Sequence, residues 1–464
     1  MPQLQKLPIG IQTFAKIRED NYLYVDKTGL IADLVEQGSY YFFSRPRRFG
    51  KSLLVSTLQA LFEGHETLFQ GLALHDTWDW SVRYPVIKIS FSGVARTLAD
   101  MKHDVLDILE ENQCCLGVSC RNREDLGGCF KQLIKDTREK YGRKVVILVD
   151  EYDKLIVDNL DQVDVAKQGR EVLRDLYTTI KDSDEYVQFA FLTGVSKFGK
   201  VSVFSGLNNL EDISLTPKYG TLCGYTQNDL ETVFADHLRG SDMDKVRKWY
   251  NGYNFLGESV YNPFDILLFV KNCLVFENYW FNTGPPTFLI KLIQRHNYFI
   301  PQLENLQVNK SLIDSYTLEN VELEPILFQT GYLSIKNFED TEFGREYGLS
   351  FPNREVAMSF NDALVSYLTN ESNVLPAKKK LFEGLQQVDL KQVKEILTGL
   401  FASIPYNNYV NNTISSYEGY YAIVIFAYFA SLGLDLVAED VTNKGRIDLT
   451  VKLEDTIYII EFKV

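Results

Sequence analysis

The stretch Ser44-Arg45-Pro46-Arg47-Arg48-Phe49-Gly50-Lys51-Ser52 joins the strand candidate Tyr40–Ser44 to a helix-compatible stretch that begins at Lys51. The Walker A pattern of phosphate-binding loops is G-x-x-x-x-G-K-[ST]. Gly50, Lys51 and Ser52 fit that pattern, whereas Arg45 stands at the position of its first glycine. The stretch therefore predicts a phosphate-binding loop whose first turn differs from the usual one.

The residue types in this loop suit the binding of ATP with Mg²⁺. Backbone N–H groups of Arg48, Phe49 and Gly50, together with the helix N-terminus, can surround phosphate oxygens. The ammonium group of Lys51 can neutralise the β- and γ-phosphates, and the hydroxyl group of Ser52 can bind Mg²⁺. We therefore predict these five residues as the nucleotide-binding loop, with Ser52 as a metal ligand.

Arginines dominate the first half of the loop. Arg45, Arg47 and Arg48 predict an electropositive patch beside Lys51, in a protein whose formal net charge is −14. A solvated basic loop would explain that patch if the Gly-Lys-Ser sequence stood alone in the chain.

A second motif argues against that simpler explanation. Val145–Val149 is a continuous apolar run, typical of a buried parallel strand, and Asp150 and Glu151 follow it directly. Asp150 is placed to hold Mg²⁺ through water, and Glu151 is placed to orient an attacking water molecule. The two motifs together favour nucleotide binding, while hydrolysis and binding without turnover both stay open at this point.

Two further apolar runs, Val86–Phe91 and Val187–Leu192, alternate with helix-compatible stretches. Strands separated by helices predict an α/β fold built on a parallel sheet. Thr193 follows the second of these runs and suits a residue that contacts the γ-phosphate. Threonine is also frequent where strands turn, so both interpretations of Thr193 stay open.

Composition limits the class of protein. The chain has 464 residues, of which 45% are hydrophobic and 24% charged, and this excludes disordered and fibrous architectures. At about 150 residues per domain we expect about three domains. The acidic balance argues against a protein that binds nucleic acid through basic tails. The cysteines are not spaced like a metal site, so we expect free thiols. The sequence shows neither a secretory signal nor an apolar run long enough to cross a bilayer, so we expect a soluble cytoplasmic protein without membrane partners.

The last stretch of the chain carries a second candidate site. Asp448 lies in one strand candidate, Arg446–Leu453, and Glu461 and Lys463 lie in the next, Thr456–Val464. Glu461 and Lys463 are two residues apart and so point to the same face of a strand. Two carboxylates can hold a divalent metal, and a nearby lysine can help to activate water against a phosphodiester. We therefore predict a metal-dependent nuclease-type site, although a solvated salt-bridge face is the simpler alternative.

Glu418 could add a further metal ligand to this site. It lies near the start of the helix candidate Ser415–Leu432, where a carboxylate also suits the helix dipole, and both interpretations stay open. Residues 378–464 carry nine lysines or arginines against eleven acidic residues. Because nucleic-acid binding usually relies on a basic groove, substrate would have to be held mainly by metal or by another domain.

These motifs together resemble a bacterial family of predicted AAA-like ATPases that carry a C-terminal domain of the PD-(D/E)XK nuclease superfamily. The resemblance runs over nearly the whole chain and rests on eight stretches: residues 24–28 (YVDKT), 45–52 (RPRRFGKS), 149–153 (VDEYD), 193–198 (TGVSKF), 204–210 (FSGLNNL), 250–253 (YNGY), 261–263 (YNP) and 329–333 (QTGYL). The arginine-rich loop is similar to the form that this family uses.

The resemblance implies a P-loop domain of the additional-strand type in residues 1–223, a helical lid or middle domain in residues 224–375, and a restriction-endonuclease-like α/β domain in residues 376–464. It also implies action on nucleic acid, with DNA as the expected substrate, in defence against mobile DNA or in its processing. A complete nuclease core of that superfamily continues with a helix and a strand after the position of Lys463. We therefore expect an incomplete module with poor nuclease activity and with apolar surface exposed on its third strand.

Three hypotheses about function follow. In the first, the chain is an ATPase coupled to a nuclease module, with Glu151, Asp448, Glu461 and Lys463 as catalytic residues. In the second, it is an ATP-dependent switch or interaction protein whose nuclease-like domain is inactive. In the third, the phosphate loop is vestigial and the fold is a scaffold. Self-association is compatible with all three.

Overall fold

The computed structural model describes residues 4–91, 93, 95–120, 122, 125–197, 207, 209–281, 293, 300–310, 313, 322–369, 375–403, 417–442 and 445–461. The sequence-predicted strands and helices that surround both candidate sites lie largely within these ranges. Lys463 lies outside them, and so do the side chain of Glu418 and most of the motif at residues 204–210.

The first half of the chain is built on a five-stranded parallel sheet with the order β2-β3-β4-β1-β5. Its strands are β1 (Tyr40–Ser44), β2 (Val86–Ser90), β3 (Val145–Asp150), β4 (Val187–Gly194) and β5 (Glu211–Asp212). β4 pairs in parallel with both β1 and β3 and so separates the strand before the phosphate loop from the strand that ends in Asp150. This is the additional-strand arrangement, and the predicted α/β fold class is confirmed.

Helices cover this sheet because its strands are apolar on both faces. β3 is buried at every position, as expected for a central parallel strand. The helices of this half are α1 (Phe14–Glu19), α2 (Thr28–Gln37), α3 (Lys51–Phe62), α4 (Leu98–Leu116), α5 (Leu126–Tyr141), α6 (Lys154–Val157) and α7 (Val163–Asp182). Helices α3 and α5 both pack against β3, which fixes the phosphate loop and the Asp150 strand in one rigid unit.

The middle of the chain is only partly helical. Its helices are α8 (Gln227–Thr232), α9 (Met243–Tyr250), α10 (Pro263–Lys271) and α11 (Leu323–Thr330), and β6 (Asn251–Tyr253) pairs with β7 (Val260–Tyr261). A three-stranded antiparallel sheet joins β8 (Leu306–Asn309), β9 (Ser334–Thr341) and β10 (Gly344–Ser350), with β10 in the centre. The sequence did not predict this sheet, because the outer part of β9 is polar and exposed and shows no apolar alternation.

Helices α8 to α10 have a small hydrophobic core of their own. Leu23 and Val25, from the segment before α2, pack in this core with Leu230, Phe234 and Tyr250 of the middle region. The N-terminal segment is thereby attached to the middle region as well as to the parallel sheet. The predicted domain boundaries at residues 223 and 375 stay predictions.

The end of the chain combines helices with a small sheet. Its helices are α12 (Arg354–Thr369), α13 (Leu375–Gln386), α14 (Leu390–Ser403) and α15 (Tyr417–Ala430). Strands β11 (Asp435–Thr442), β12 (Gly445–Leu453) and β13 (Thr456–Ile460) form an antiparallel sheet with β12 in the centre. α15 packs against this sheet and against α12, and the predicted helix-strand-strand-strand order is confirmed.

The cysteines differ in part from the prediction of free thiols. A disulfide joins Cys120, after α4, to Cys129 on α5, with 5.2 Å between their Cα atoms. Cys114 and Cys115 are free thiols, as predicted, and Cys223 and Cys273 are free thiols as well. Spacing alone did not reveal the pair, because α4 and α5 bring the two residues together in space.

In the part of the chain that the structure describes, no helix has both the length and the apolar character needed to cross a membrane.

Candidate functional site

The phosphate loop has the backbone geometry of an anion site. Gly50 caps the twelve-residue helix α3 with a φ of 93°, a left-handed conformation that favours glycine. Arg48, two residues earlier, also has a positive φ, of 68°. The loop turns sharply into the helix, so the free N–H groups of the first helical turn face the space in front of the loop.

Arg45 points away from that space and into the protein. Its side chain is 1% exposed, and one Nη atom donates to the carbonyl oxygens of Ser44 and Ser214, each at 2.8 Å. The guanidinium group lies between the rings of Phe43 and Phe255, 4.2 and 3.8 Å from their centroids. Burial lowers the pKa of this guanidinium. The prediction that Arg45 belongs to an electropositive patch is therefore wrong: this arginine anchors the loop from within.

Lys51 is held by the loop itself. Its side chain is 5% exposed, and Nζ donates to the carbonyl oxygens of Arg45 and Pro46, both at 3.0 Å. Burial lowers the pKa of the ammonium group, while the charges of Glu151 and Asp150 act in the opposite direction. The lysine thus lies within electrostatic reach of Asp150, the last residue of β3, and of Glu151, which follows it.

Asp150 and Glu151 are positioned by the end of β3. Asp150 is 4% exposed, and among the described residues its Oδ1 atom has no hydrogen-bond partner. A buried carboxylate oxygen without a donor is costly unless a ligand or an ion completes it. Glu151 has a φ of 53°, and burial raises the pKa of its carboxyl group against the attraction of Lys51. The arrangement suits a metal ligand next to a group that can take up a proton.

The other residues predicted for this site have varied positions. The hydroxyl group of Thr193 is buried and donates to the carbonyl oxygen of Phe43 at 2.7 Å, so it ties β4 to β1. The ring of Phe49 is buried edge-to-face against Tyr253, which leaves only its backbone for a ligand. The guanidinium group of Arg48 lies 3.9 Å from the ring centroid of Phe264 on α10. Ser52 lies half-buried in the first turn of α3.

A cavity of about 80 Å³ adjoins Gly50 and the first turns of α3. Its wall combines the N-terminal segment, α3 and the start of the middle region: Tyr24, Val25, Lys27, Ile31, Phe49, Gly50, Leu53, Leu54, Thr57, Leu222, Cys223, Gly224, Tyr225 and Pro263. Lys27 is fixed there by Asp229, with Nζ 2.7 Å from a carboxylate oxygen. The sequence signal for this cavity was the motif at residues 24–28, to which no role had been assigned.

Asp153 was also missed, although it lies in the same motif as Asp150. It is 2% exposed and accepts hydrogen bonds from the backbone N–H groups of Ser196, at 2.7 Å, and Val195, at 3.3 Å. The hydroxyl group of Ser196 donates to it as well. Burial raises the pKa of this carboxyl group despite these donors. Asp153 thereby joins the turn that carries Glu151 to the loop that follows β4.

The middle region contacts the phosphate loop from the other side. The indole Nε1 of Trp280 donates to the carbonyl oxygen of Arg47 at 3.4 Å, and its backbone N–H donates to Glu355 at 2.8 Å. Glu355 on α12 and Asp265 on α10 are a fully buried carboxyl pair. Burial raises the pKa of both groups, and that of Glu355 rises to about 7, which favours a protonated form of the pair.

The C-terminal candidate site is partly described. β12 and β13 pair Leu449 with Ile460, and the next step of this antiparallel register sets Asp448 opposite Glu461. Asp448 is half-buried and Glu461 is exposed. On the same face of β13, Ile457 and Ile459 are each 63% exposed, so the prediction of exposed apolar surface on the third strand is confirmed. No cluster of three metal-ligating side chains is found among the described residues, which exclude Lys463 and the Glu418 side chain.

Comparisons with known proteins agree with this architecture. A family model described as "Predicted AAA-ATPase" matches residues 8–204, and one described as "PD-(D/E)XK nuclease superfamily" matches residues 416–464. A protein of Azotobacter chroococcum mcd 1, described as "Uncharacterized protein in vnfD 5'region", is 49% identical over 463 residues, which cover 99% of this chain and 89% of that protein.

The chain belongs to the predicted AAA-ATPase family, with a C-terminal domain of the PD-(D/E)XK nuclease superfamily. The AAA-ATPase match spans the phosphate loop, the strand that ends in Asp150 and the strand β4, and the nuclease match spans α15 and the sheet with Asp448. Both candidate sites therefore lie inside the matched regions.

Proposed function

We propose that this AAA-ATPase family member binds ATP with Mg²⁺ at the loop of residues 45–52 and hydrolyses it. The observation that carries the proposal is the buried Oδ1 atom of Asp150, which has no donor among the described residues. It lies at the carboxyl end of the parallel strand β3, within electrostatic reach of Lys51. Parallel α/β sheets bind ligands at the carboxyl ends of their strands, where both residues are found.

The residues present fit a bound Mg²⁺ ion, because Asp150 offers a carboxylate oxygen that has no donor within the described part of the chain, and Ser52 offers a hydroxyl group at the start of α3. When bound, the ion neutralises negative charge on the β- and γ-phosphate oxygens. Lys51 exchanges its two carbonyl acceptors for phosphate oxygens. Burial lowers the pKa of its ammonium group, and the negative charge of the phosphates would offset that effect. Glu151 orients the attacking water and accepts its proton, as its raised pKa favours.

The cavity beside Gly50 is the proposed site of the adenine base. Its wall is largely apolar, and it lies between α3 and the middle region, where a base attached to the loop-bound phosphates can reach. Because Tyr225 and Pro263 of the middle region line it, a bound nucleotide would hold that region against the parallel sheet. Thr193 and Arg48 stay predicted as ligand contacts.

We further propose that the C-terminal module is a Mg²⁺-dependent nuclease site that acts on nucleic acid. Its support is the register that sets Asp448 opposite Glu461 on neighbouring strands. Lys463 and Glu418 stay predicted from the sequence as further members of this site, and action on mobile DNA rests on the resemblance alone. Self-association stays a prediction that a measurement of mass in solution would test.

An ATP-dependent switch with an inactive nuclease-like domain is the second candidate. The contacts of Trp280 favour it, because they connect the phosphate loop to α12 through Glu355. α12 packs on α15 of the nuclease-like module, so a change in the loop has a path of contacts to that module.

One experiment separates these candidates. Cleavage of plasmid DNA is measured with Mg²⁺ and ATP for the wild type, Asp448→Asn, Glu461→Gln and the matched control Asp455→Asn in the turn between the two strands. Cleavage that is lost only in the first two variants supports the nuclease. Absence of cleavage by a wild type that turns over ATP favours the switch, and cleavage equal in all four chains would overturn the assignment of the site.

A further inference from the structure

Gln329, at the end of α11 in the middle region, reaches into the ATPase half of the protein. Its side chain is 4% exposed, and Oε1 accepts a hydrogen bond from the backbone N–H of Lys197 at 2.6 Å. Its Nε2 atom donates to the carbonyl oxygen of Ile313 at 2.9 Å. The second bond fixes the orientation of the amide, because only the NH₂ group can face a carbonyl oxygen.

The loop that Gln329 contacts is part of the proposed catalytic edge. Lys197 follows Val195 and Ser196, whose N–H groups bind Asp153, two residues beyond Glu151. The loop after β4 is therefore attached on one side to the turn that carries the proposed catalytic glutamate. On its other side it is attached to the middle region by Gln329.

Gly331 brings the same segment against the phosphate loop. Its φ is 93°, and a Cβ atom built on it would lie 2.8 Å from Cβ of Pro46. A larger residue would push the two loops apart, so the close approach requires glycine. Gln329 thus contacts the loop after β4, and Gly331 contacts the phosphate loop.

We propose that Gln329 is a positioning residue for ATP hydrolysis: it holds the loop after β4 and, through Asp153, the orientation of Glu151. Both polar atoms of its amide are bonded to the protein, so we expect it to act on the rate of the chemical step more than on ATP affinity. The consequence is regulatory, since turnover depends on how the middle region sits against the sheet. The inference rests on the proposed ATPase function.

The test compares Gln329→Leu, which removes both hydrogen bonds, with Thr330→Val as the matched control. Among the described residues, the hydroxyl group of Thr330 bonds only within its own helix, to the carbonyl oxygen of Ile326. We expect Gln329→Leu to lower kcat at least tenfold, with KM and the ATP dissociation constant within threefold of the wild type, and Thr330→Val to leave all three unchanged. A kcat within twofold of the wild type for Gln329→Leu would overturn the proposal.

Gln329→Glu gives a readout that a purely structural role would not produce. A glutamate keeps the acceptor for the Lys197 N–H, but it can donate to the Ile313 carbonyl only when it is protonated, and burial at this position raises its pKa. We expect its turnover relative to the wild type to rise by at least threefold from pH 8 to pH 6. A ratio that is flat over this range would count against the proposal.

Amide hydrogen exchange tests this inference independently of the ATPase proposal. The proposed function fails if the wild type shows no ATP turnover, or only turnover that Glu151→Gln leaves unchanged. The inference is then decided by amide exchange in the nucleotide-free chain. We expect Gln329→Leu to speed exchange of the Lys197 amide at least tenfold, and unchanged exchange would overturn the positioning role.

Discussion

The ammonium group of Lys51 donates to the backbone carbonyl oxygen of Arg45 at 3.0 Å, across the mouth of the phosphate loop. Arg45, which replaces the first glycine of the Walker A pattern, therefore supports the loop in two ways. Its carbonyl group holds the lysine that we assign to phosphate, and its side chain fixes the loop to the segment at residues 214–220. The altered first turn is a structural feature of this loop and is compatible with phosphate binding.

Lys51→Ala should abolish the stabilisation of the protein by ATP. Ligand at 100 times its dissociation constant stabilises a protein by about 2.7 kcal/mol, which raises the melting temperature by a few degrees. The measurement is a thermal melt with and without Mg²⁺ and ATP, with Lys131→Ala on the exposed face of α5 as the matched control. An equal shift in wild type and Lys51→Ala would contradict the assignment, and no shift in the wild type would favour a vestigial loop.

Arg45→Ala should destabilise the fold far more than Arg47→Ala. Arg45 is 1% exposed and satisfies buried carbonyl oxygens, whereas the side chain of Arg47 is 62% exposed. Loss of the buried donors should cost about 2–4 kcal/mol of the free energy of unfolding, against less than about 0.5 kcal/mol at the exposed position. Urea titrations of the two variants make this comparison, and similar losses would show that Arg45 is no anchor.

Glu355→Gln should flatten part of the pH dependence of stability. Burial raises the pKa of Glu355 to about 7, so the folded state keeps a proton that the unfolded state has already released. This group therefore contributes stability at low pH that is lost as pH rises from about 4 towards about 7. Urea midpoints at pH 5 and pH 7.5 should diverge less in Glu355→Gln than in the wild type.

The exposed Glu339→Gln is the control for that experiment, because its side chain lies on the polar part of β9. It should keep the pH dependence of the wild type. The same dependence in Glu355→Gln as in the wild type would mean that the Asp265 and Glu355 pair does not share a proton in the folded state.

Ile457→Thr and Ile459→Thr should reduce aggregation without loss of stability. Both side chains are 63% exposed on β13, and threonine keeps the preference for a strand. Light scattering at 37 °C should fall, while the free energy of unfolding changes by less than about 0.5 kcal/mol. The matched buried change is Val451→Thr, which should cost about 1–3 kcal/mol. A large loss of stability in the first two variants would show that their face is covered in solution.

The parallel sheet was predictable because its strands are continuous apolar runs. Val145–Val149 is buried throughout, and the acids that follow such a run must lie at the sheet edge, as Asp150 does. The pairing of β12 with β13 was equally predictable, since a turn at Glu454 and Asp455 determines which residues of the two strands lie opposite each other. Local pattern and turn chemistry were sufficient in both cases.

Long-range contacts were not predictable from the sequence. Asp265 and Glu355 are distant in the chain, and nothing in their spacing reveals that they share a buried site. Gln329 and Lys197 meet only because the middle region folds back on the sheet. The inward direction of Arg45 was missed for the same reason, because its partners at residues 214–220 are remote in sequence. Such contacts depend on tertiary packing, which no local pattern records.

The most direct test of the central claim is phosphate release from ATP by the wild type and by Glu151→Gln, with Glu171→Gln on α7 as the matched control. We expect Mg²⁺-dependent release by the wild type and the control, and a loss of at least a hundredfold in Glu151→Gln, which should still bind ATP as tightly as the wild type. Equal release by all three proteins, or none by a wild type that binds ATP, would show that Glu151 does not serve ATP hydrolysis.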